Sequence, residues 1–154
     1  MYQQAGMAVV LKNLETVMIN KGNLIIEKVE NNASLLQWCE IVSDVFGIKV
    51  DFDFLKFMHL QEEACFYIAK FEGIVASTLL LYLSSGVAGL HAVSTLPQYR
   101  SKGFGLSISS AALKDAHNMG YNIGVLQASS LGENIYRKLG FKKYCDIISY
   151  ALEI

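Results

Sequence analysis

"QYRSKGFGLSIS" (residues 98–109) sets an arginine, a lysine and two glycines, Gly103 and Gly105, directly ahead of a run with helical spacing. Glycine lets the backbone come close to a ligand, and the unpaired N–H groups at a helix start point at whatever binds there. One reading is therefore an anion site; the other is a plain helix-start turn. A strand ending near Val93 leads into this loop, and the helix adds partial positive charge at its start. Two common phosphate motifs do not fit. A P-loop needs GxxxxGK[ST], which is missing. A dinucleotide fingerprint wants a third glycine where Ile108 stands, and a parallel βαβ unit opening the domain.

Composition narrows the ligand. The chain has 154 residues, 53% hydrophobic and 18% charged, enough for one domain with a real core and too apolar for disorder. Its longest apolar run, "IVASTLLLYL" (74–83), falls short of the roughly 18 residues a membrane span needs. It reads as a buried strand, and no membrane partner is expected. The first 20 residues lack the basic start, apolar block and cleavage site of a secretory signal. Cys39, Cys65 and Cys145 share no CxxC spacing, and His59, His91 and His117 stand apart from them. Reduced thiols, a cytoplasmic location and no metal are expected. A net charge of −1 argues against nucleic acid. Local basic spots at Arg100 with Lys102, and at Arg137, Lys138, Lys142 and Lys143, suit a small anion.

Along the chain, "NLIIEKV" (23–29) reads as a strand. Asn32 is expected to cap a helix over "ASLLQWCEIVSDVF", whose stripe is Leu35, Cys39, Val42 and Phe46, with Gly47 as the stop. "DFLKFMHLQ" (53–61) reads as a short helix. "ACFYIAKF" (64–71), "IVASTLLLYL" and "GVAGLHAV" (86–93) form an antiparallel meander, turning at Glu72-Gly73 and Ser84-Ser85-Gly86. A helix follows over 103–119, with Phe104, Ile108, Ala111, Ala112, Ala116 and Met119 on its inner face. "NIGVLQA" (122–128) is a strand, "ENIYRKL" (133–139) a short helix, and "FKKYCDIISYALEI" extended. This order gives a mixed α/β sheet. Met7, Val10, Leu14 and Met18 fit a helix loosely, and a strand-like arm equally well. Residues 1–20 are therefore set apart as an extension, with the domain proper over 21–154.

Two stretches together carry a family resemblance. "VSTLPQYRSKGFG" resembles the acetyl-CoA signature (Q/R)xxGx(G/A) of the GNAT (GCN5-related) N-acetyltransferases. About 25 residues on, "ASSLGENIYRKLGF" is similar to that family's second motif: a strand, a short helix with a tyrosine, and a closing Gly-Phe. The resemblance covers roughly 24–154. It implies the GNAT acyl-CoA N-acyltransferase fold, an α/β architecture with a mixed, mostly antiparallel sheet flanked by helices. The family's fourth and fifth strands, here 86–93 and 122–128, would splay apart to admit a thioester.

The implied activity is acetyl transfer from acetyl-CoA to a primary amine of a small molecule or peptide, by direct attack. Backbone groups of Val93, Ser94 and Thr95 would pair with the pantetheine arm. Ser101, Lys102, Gly103, Phe104, Gly105 and Leu106 would hold the pyrophosphate, with charge from Arg100 and Lys102. Tyr136 matches the tyrosine that protonates the leaving thiolate. Two positions depart from the pattern. Ser129 stands where relatives often carry a pantetheine-contacting asparagine, and Gly89 lies near the place of a carboxylate base. His91, on the face of Gly89 and Val93 by alternation, is the candidate to take the amine's proton; a hydrogen-bonded core histidine is its plainer reading. Trp38, Phe46, Phe52, Phe54 and Phe57 are expected mainly in the core, some lining the acceptor pocket. The acidity of Asp44, Asp51, Asp53, Glu62 and Glu63 would suit a cationic amine, or be an ordinary solvated face. The departures leave a non-catalytic CoA-binding or partner-binding module as the alternative. A homodimer is left open.

Overall fold

The computed structural model describes residues 1–15 and 22–151. Met18, the division at 20/21 and residues 152–154 lie outside the described residues. The chain order is β1 (Tyr2–Val10), β2 (Leu24–Lys28), α1 (Asn32–Phe46), α2 (Phe52–His59), β3 (Ala64–Phe71), β4 (Ile74–Ser84), β5 (Val87–Thr95), α3 (Phe104–Asn118), β6 (Ile123–Ala128), α4 (Glu133–Arg137) and β7 (Lys142–Ser149). All seven strands share one sheet in the order β2-β3-β4-β5-β6-β1-β7.

The meander forms because its turns carry the right residues. Glu72-Gly73 and Ser85-Gly86 all sit at positive φ, which matches the twist of the strands they join. β5 and β6 are parallel, and α3 makes the long crossover such a pair requires. Every other pairing is antiparallel.

Helices cover both faces. α1 and α2 close one, around Leu35, Trp38, Val42, Leu55, Phe66 and Ile68. α3 closes the other, with Leu106, Ile108, Ala112, Leu113 and Ala116 against Leu79, Leu81, Leu90 and Leu126. Small residues on α3 bring it close to the strands. Its far half is tied to β3 by the buried Tyr67 hydroxyl, which donates to Asp115 Oδ2 at 2.7 Å, with Lys28 Nζ at 3.5 Å from the same carboxylate. Burial and that carboxylate both push the Tyr67 phenol well above its ordinary range.

Three differences from expectation have physical reasons. α1 is capped by Asn31, not Asn32, because the Asn31 side chain accepts from Ser34 N at 2.9 Å. Met119 caps the end of α3 and is 46% exposed, not inward. The larger difference is at the start. Tyr2–Val10 is an interior strand, paired on one edge with β6 and on the other with β7. Ala5, Met7, Val9 and Leu11 repeat every second residue and are all buried in the α3-side core. Structurally, this stretch is part of the same sheet rather than an arm beside it. No helix among the described residues is long and apolar enough to cross a membrane.

Candidate active site

β5 changes character halfway along. Val87 to Leu90 pair with Ile123 to Leu126 of β6, and there the pairing stops. On its other edge, His91 faces Leu80 and Ser94 faces Thr78, so the two residues Ala92 and Val93 oppose Leu79 alone. This is a β-bulge, and Ala92 holds it at φ 47°. A positive φ at a non-glycine residue costs about 1–3 kcal/mol and needs support from its surroundings. That support is visible. The buried Trp38 indole N–H donates to Leu79 O at 3.1 Å, and Thr78 Oγ1 donates to Ala92 O at 3.3 Å. Two carbonyls at the bulge, those of Leu79 and Ala92, thus each accept a side-chain hydrogen bond. Beyond it, β5 bends away from β6 and leaves an open edge over His91 to Thr95.

The bulge also corrects the expected alternation. Val93 turns to the α3 face, packing against the core there, while His91 stays with Gly89 on the α1 face. His91 and Val93 therefore do not share a side. A cavity of about 350 Å³ fills the splay and is lined from both faces. From the α3 side come Leu90, Val93, Thr95, Gly105, Leu126, Ala128, Ile135 and Tyr136; from the α1 side come His91, Gln127, Gln4, Tyr2 and Phe46. The opening thus runs through the sheet.

At one end of the cavity stands the start of α3. Gly103 is its cap at φ 77°, no side chain caps the helix, and its first internal bond is Ser107 N to Gly103 O at 3.0 Å. The N–H groups ahead of Ser107 in that turn have no acceptor within the helix. Ser101, also at positive φ (61°), curls the preceding loop so that it leads into the same end. A Cβ on Gly105 would meet nothing closer than Thr95 Oγ1 at 3.7 Å. The protein's own packing does not demand glycine there; the residue leaves room between α3 and the open edge of β5. That room lies beside the uncapped N–H groups of the helix start, a combination that suits an anionic ligand running along the edge of β5. Arg100 is exposed and steered by its Nε, which donates to Thr95 O at 3.1 Å. Lys102 is exposed, and together with Phe104 it borders a second hollow beside Glu72 rather than the cavity. The Phe104 and Leu106 side chains are core, so only their backbone can serve a ligand. Ser94 Oγ is buried and paired with Thr78 Oγ1 at 2.6 Å.

Tyr136 reaches the cavity from α4, its ring edge-on to Phe141. Burial pushes its phenol up to about 12, and nearby Ser109 offsets part of the rise. The Ser109 hydroxyl, itself buried, has no hydrogen-bond partner among the described residues. Tyr136 therefore stays protonated at neutral pH, as a proton donor must. Ser129 lines the cavity too, and its Oγ accepts from Gly132 N at 3.2 Å, holding the start of α4. On the acceptor side, the His91 ring folds over Gly89: a Cβ built there would lie 2.7 Å from His91 Nε2. The imidazole occupies the space that a side chain at 89 would take. Partial desolvation lowers its pKa, so it is neutral and able to accept a proton at pH 7.

The structure brings Tyr136, His91, Val93, Thr95, Gly105 and Ser129 around one opening. Tyr2 and Gln4 were missed because residues 1–20 were set aside, although the period-two run from Ala5 to Leu11 was the available signal. Phe46 lines the cavity and Trp38 is core, whereas Phe54 and Phe57 are exposed.

A model of the acetyltransferase (GNAT) domain matches residues 28–144. The chain belongs to the GNAT acetyltransferase family. Probable N-acetyltransferase camello of Xenopus tropicalis is 25% identical over 118 residues, covering 69% of this chain and 54% of that protein. A GCN5-related N-acetyltransferase from Sphaerobacter thermophilus superposes with a TM-score of 0.78 at 16% identity, over 94% of this chain and 49% of that one. AAC(6')-Iy, solved in complex with the bisubstrate analog CoA-S-monomethyl-acetylneamine, gives 0.72 at 16% identity, over 85% and 99%. This GNAT chain spans about half the length of the first two. The fold expected from the two motifs is the observed one.

Proposed function

We propose that the protein is an N-acetyltransferase that moves acetyl from acetyl-CoA to a primary amine by direct attack, with no metal. One observation carries this reading. A single opening through the sheet joins the uncapped start of α3 and the open edge of β5 on one face to a neutral histidine on the other, with a protonated tyrosine at its side.

Acetyl-CoA would supply an activated acyl group on a thiol leaving group. The N–H groups of Gly103 to Leu106, with Arg100 nearby, would hold its phosphates, and Lys102, which borders the second hollow, would add charge from a distance. The open edge of β5 over Val93 to Thr95 would pair with the pantetheine amides as a further strand, and its unpaired N–H groups would polarise the thioester carbonyl. Ser129 would bound the channel opposite. The amine enters from the α1 face, where His91 Nε2 takes its proton. The Tyr136 hydroxyl gives a proton to the departing thiolate. A neutral imidazole and an un-ionised phenol are the protonation states this sequence needs; both already prevail at pH 7 for ordinary groups, and desolvation moves each further the same way.

Release of free thiol from acetyl-CoA should depend on added amine, with the N-acetyl product seen by mass. Binding of CoA with no amine-dependent release across a broad panel would instead make the protein a binding module.

A further inference from the structure

We infer that the acceptor is an amine carried on an uncharged, ring-bearing body rather than on a polycation. This deepens the transferase reading and rests on it. The acceptor side of the opening is built from Tyr2, Gln4, Phe46, Gln127 and His91. Among the described residues, no Asp, Glu, Lys or Arg side chain lines any part of the cavity. Two of the acidic residues noted near α2 are engaged at the start of that helix, and none of the five lines the cavity. Asp51 accepts from Asp53 N and Phe54 N at the start of α2, and Asp53 pairs with Lys56 Nζ at 2.6 Å. An acceptor with several ammonium groups would strip water from charges that find no partner there, which is costly.

A ring has the opposite balance. Tyr2 is 55% and Phe46 50% exposed, two large aromatic surfaces left bare beside a cavity. They come from distant parts of the chain, the first strand and the last turn of α1. A flat apolar group entering there has exposed aromatic surface to stack on, and ring pairs add stabilisation beyond the area buried. Gln4 and Gln127 offer amide donors and acceptors to a neutral polar substituent. With no carboxylate nearby to favour the ammonium form, the reacting nitrogen is delivered as the free amine that His91 needs. The first strand is thus a wall of the acceptor site as well as a member of the sheet.

The test compares phenethylamine and tyramine with spermidine and sisomicin as acceptors. The aryl amines should lead in kcat/KM by at least about tenfold. Tyr2→Ala and Phe46→Ala should each raise the aryl amine's KM about three- to tenfold, with a smaller change in the KM for acetyl-CoA and an unmoved melting temperature. Gln4→Glu should shift preference toward spermidine. Efficient transfer to the polycations with none to aryl amines overturns the inference and keeps the transferase. Unchanged KM in both alanine variants overturns it as well. Transfer to no amine overturns both readings.

Discussion

The two halves of β5 differ in sequence by little and in use by everything. Val87 to Leu90 is paired on both edges, its Ala88 and Leu90 buried, and it serves the sheet. His91 to Thr95 is paired on one edge, kinked at Ala92, and borders the cavity. Between them stands a bulge whose orphaned groups are answered by Trp38 and Thr78. Pairing with β6 ends at Leu90, and the inserted residue on the β4 side follows directly after it. The cost is local strain, and helix α1 through Trp38 and strand β4 through Thr78 supply the compensation.

The most damaging way to break the contrast is to remove what holds β6 in place. β6 has β5 on one edge for four residues and β1 on the other for six. A chain beginning at Gly22 loses β1 with Met7, Val9 and Leu11, worth about 1.5–3 kcal/mol each against a total of about 5–15 kcal/mol. It should show no cooperative melting transition by calorimetry. A deleted chain that melts like the full one would show that β1 is not needed to hold β6 in place.

Next in size is Tyr136→Phe. Ring packing on Phe141 survives and only the hydroxyl goes, so kcat should fall about 10²- to 10⁴-fold with the melting temperature unmoved. A fall in stability with kcat intact would make the ring a packing element. His91→Ala should cost less, about 10²-fold, since water can enter where the imidazole stood. The pH profile gives the sharper reading. Desolvation sets the His91 pKa below the ordinary value of about 6.5. Calculated per free amine, kcat/KM should be flat above that lowered value and fall as pH drops through it, because the charged imidazole cannot accept a proton. In the alanine variant this acid limb should vanish. Its persistence would assign the limb to another group.

The smallest effect tests the bulge itself. Trp38→Phe keeps an aromatic ring against Phe66 but leaves the buried Leu79 O without its donor, which should cost about 1–3 kcal/mol. Because that carbonyl sits opposite Ala92, CoA affinity should weaken in parallel. Lost stability with unchanged CoA affinity would mean that the kink holds without its support.

What could be read beforehand followed physical rules of different reach. The meander and α3 were legible because turn residues and periodicity are local, and the loop at 98–105 because glycines ahead of a helix have few uses. Val93 was misplaced because a bulge leaves no local sign: Ala92 looks like any strand residue, and the Trp38 indole that bonds Leu79 O opposite it is far away in the chain. Tyr2 and Gln4 were missed for a kindred reason. A strand at the start of the chain that enters between two strands near its end is a long-range pairing, and only the buried alternation of Ala5, Met7, Val9 and Leu11 hinted at it. His91 was found, but its hold over Gly89 emerged only from the folded ring.

The central claim is that the open half of β5 receives CoA and the paired half does not. Amide hydrogen exchange, followed with and without saturating CoA, compares the two directly within one strand. Val93 to Thr95 and the start of α3 at Gly103 to Leu106 should slow by at least about tenfold on binding, while Val87 to Leu90, already bonded to β6, should not change. Protection elsewhere in a CoA-bound protein, with residues 93–95 exchanging as before, would contradict the account.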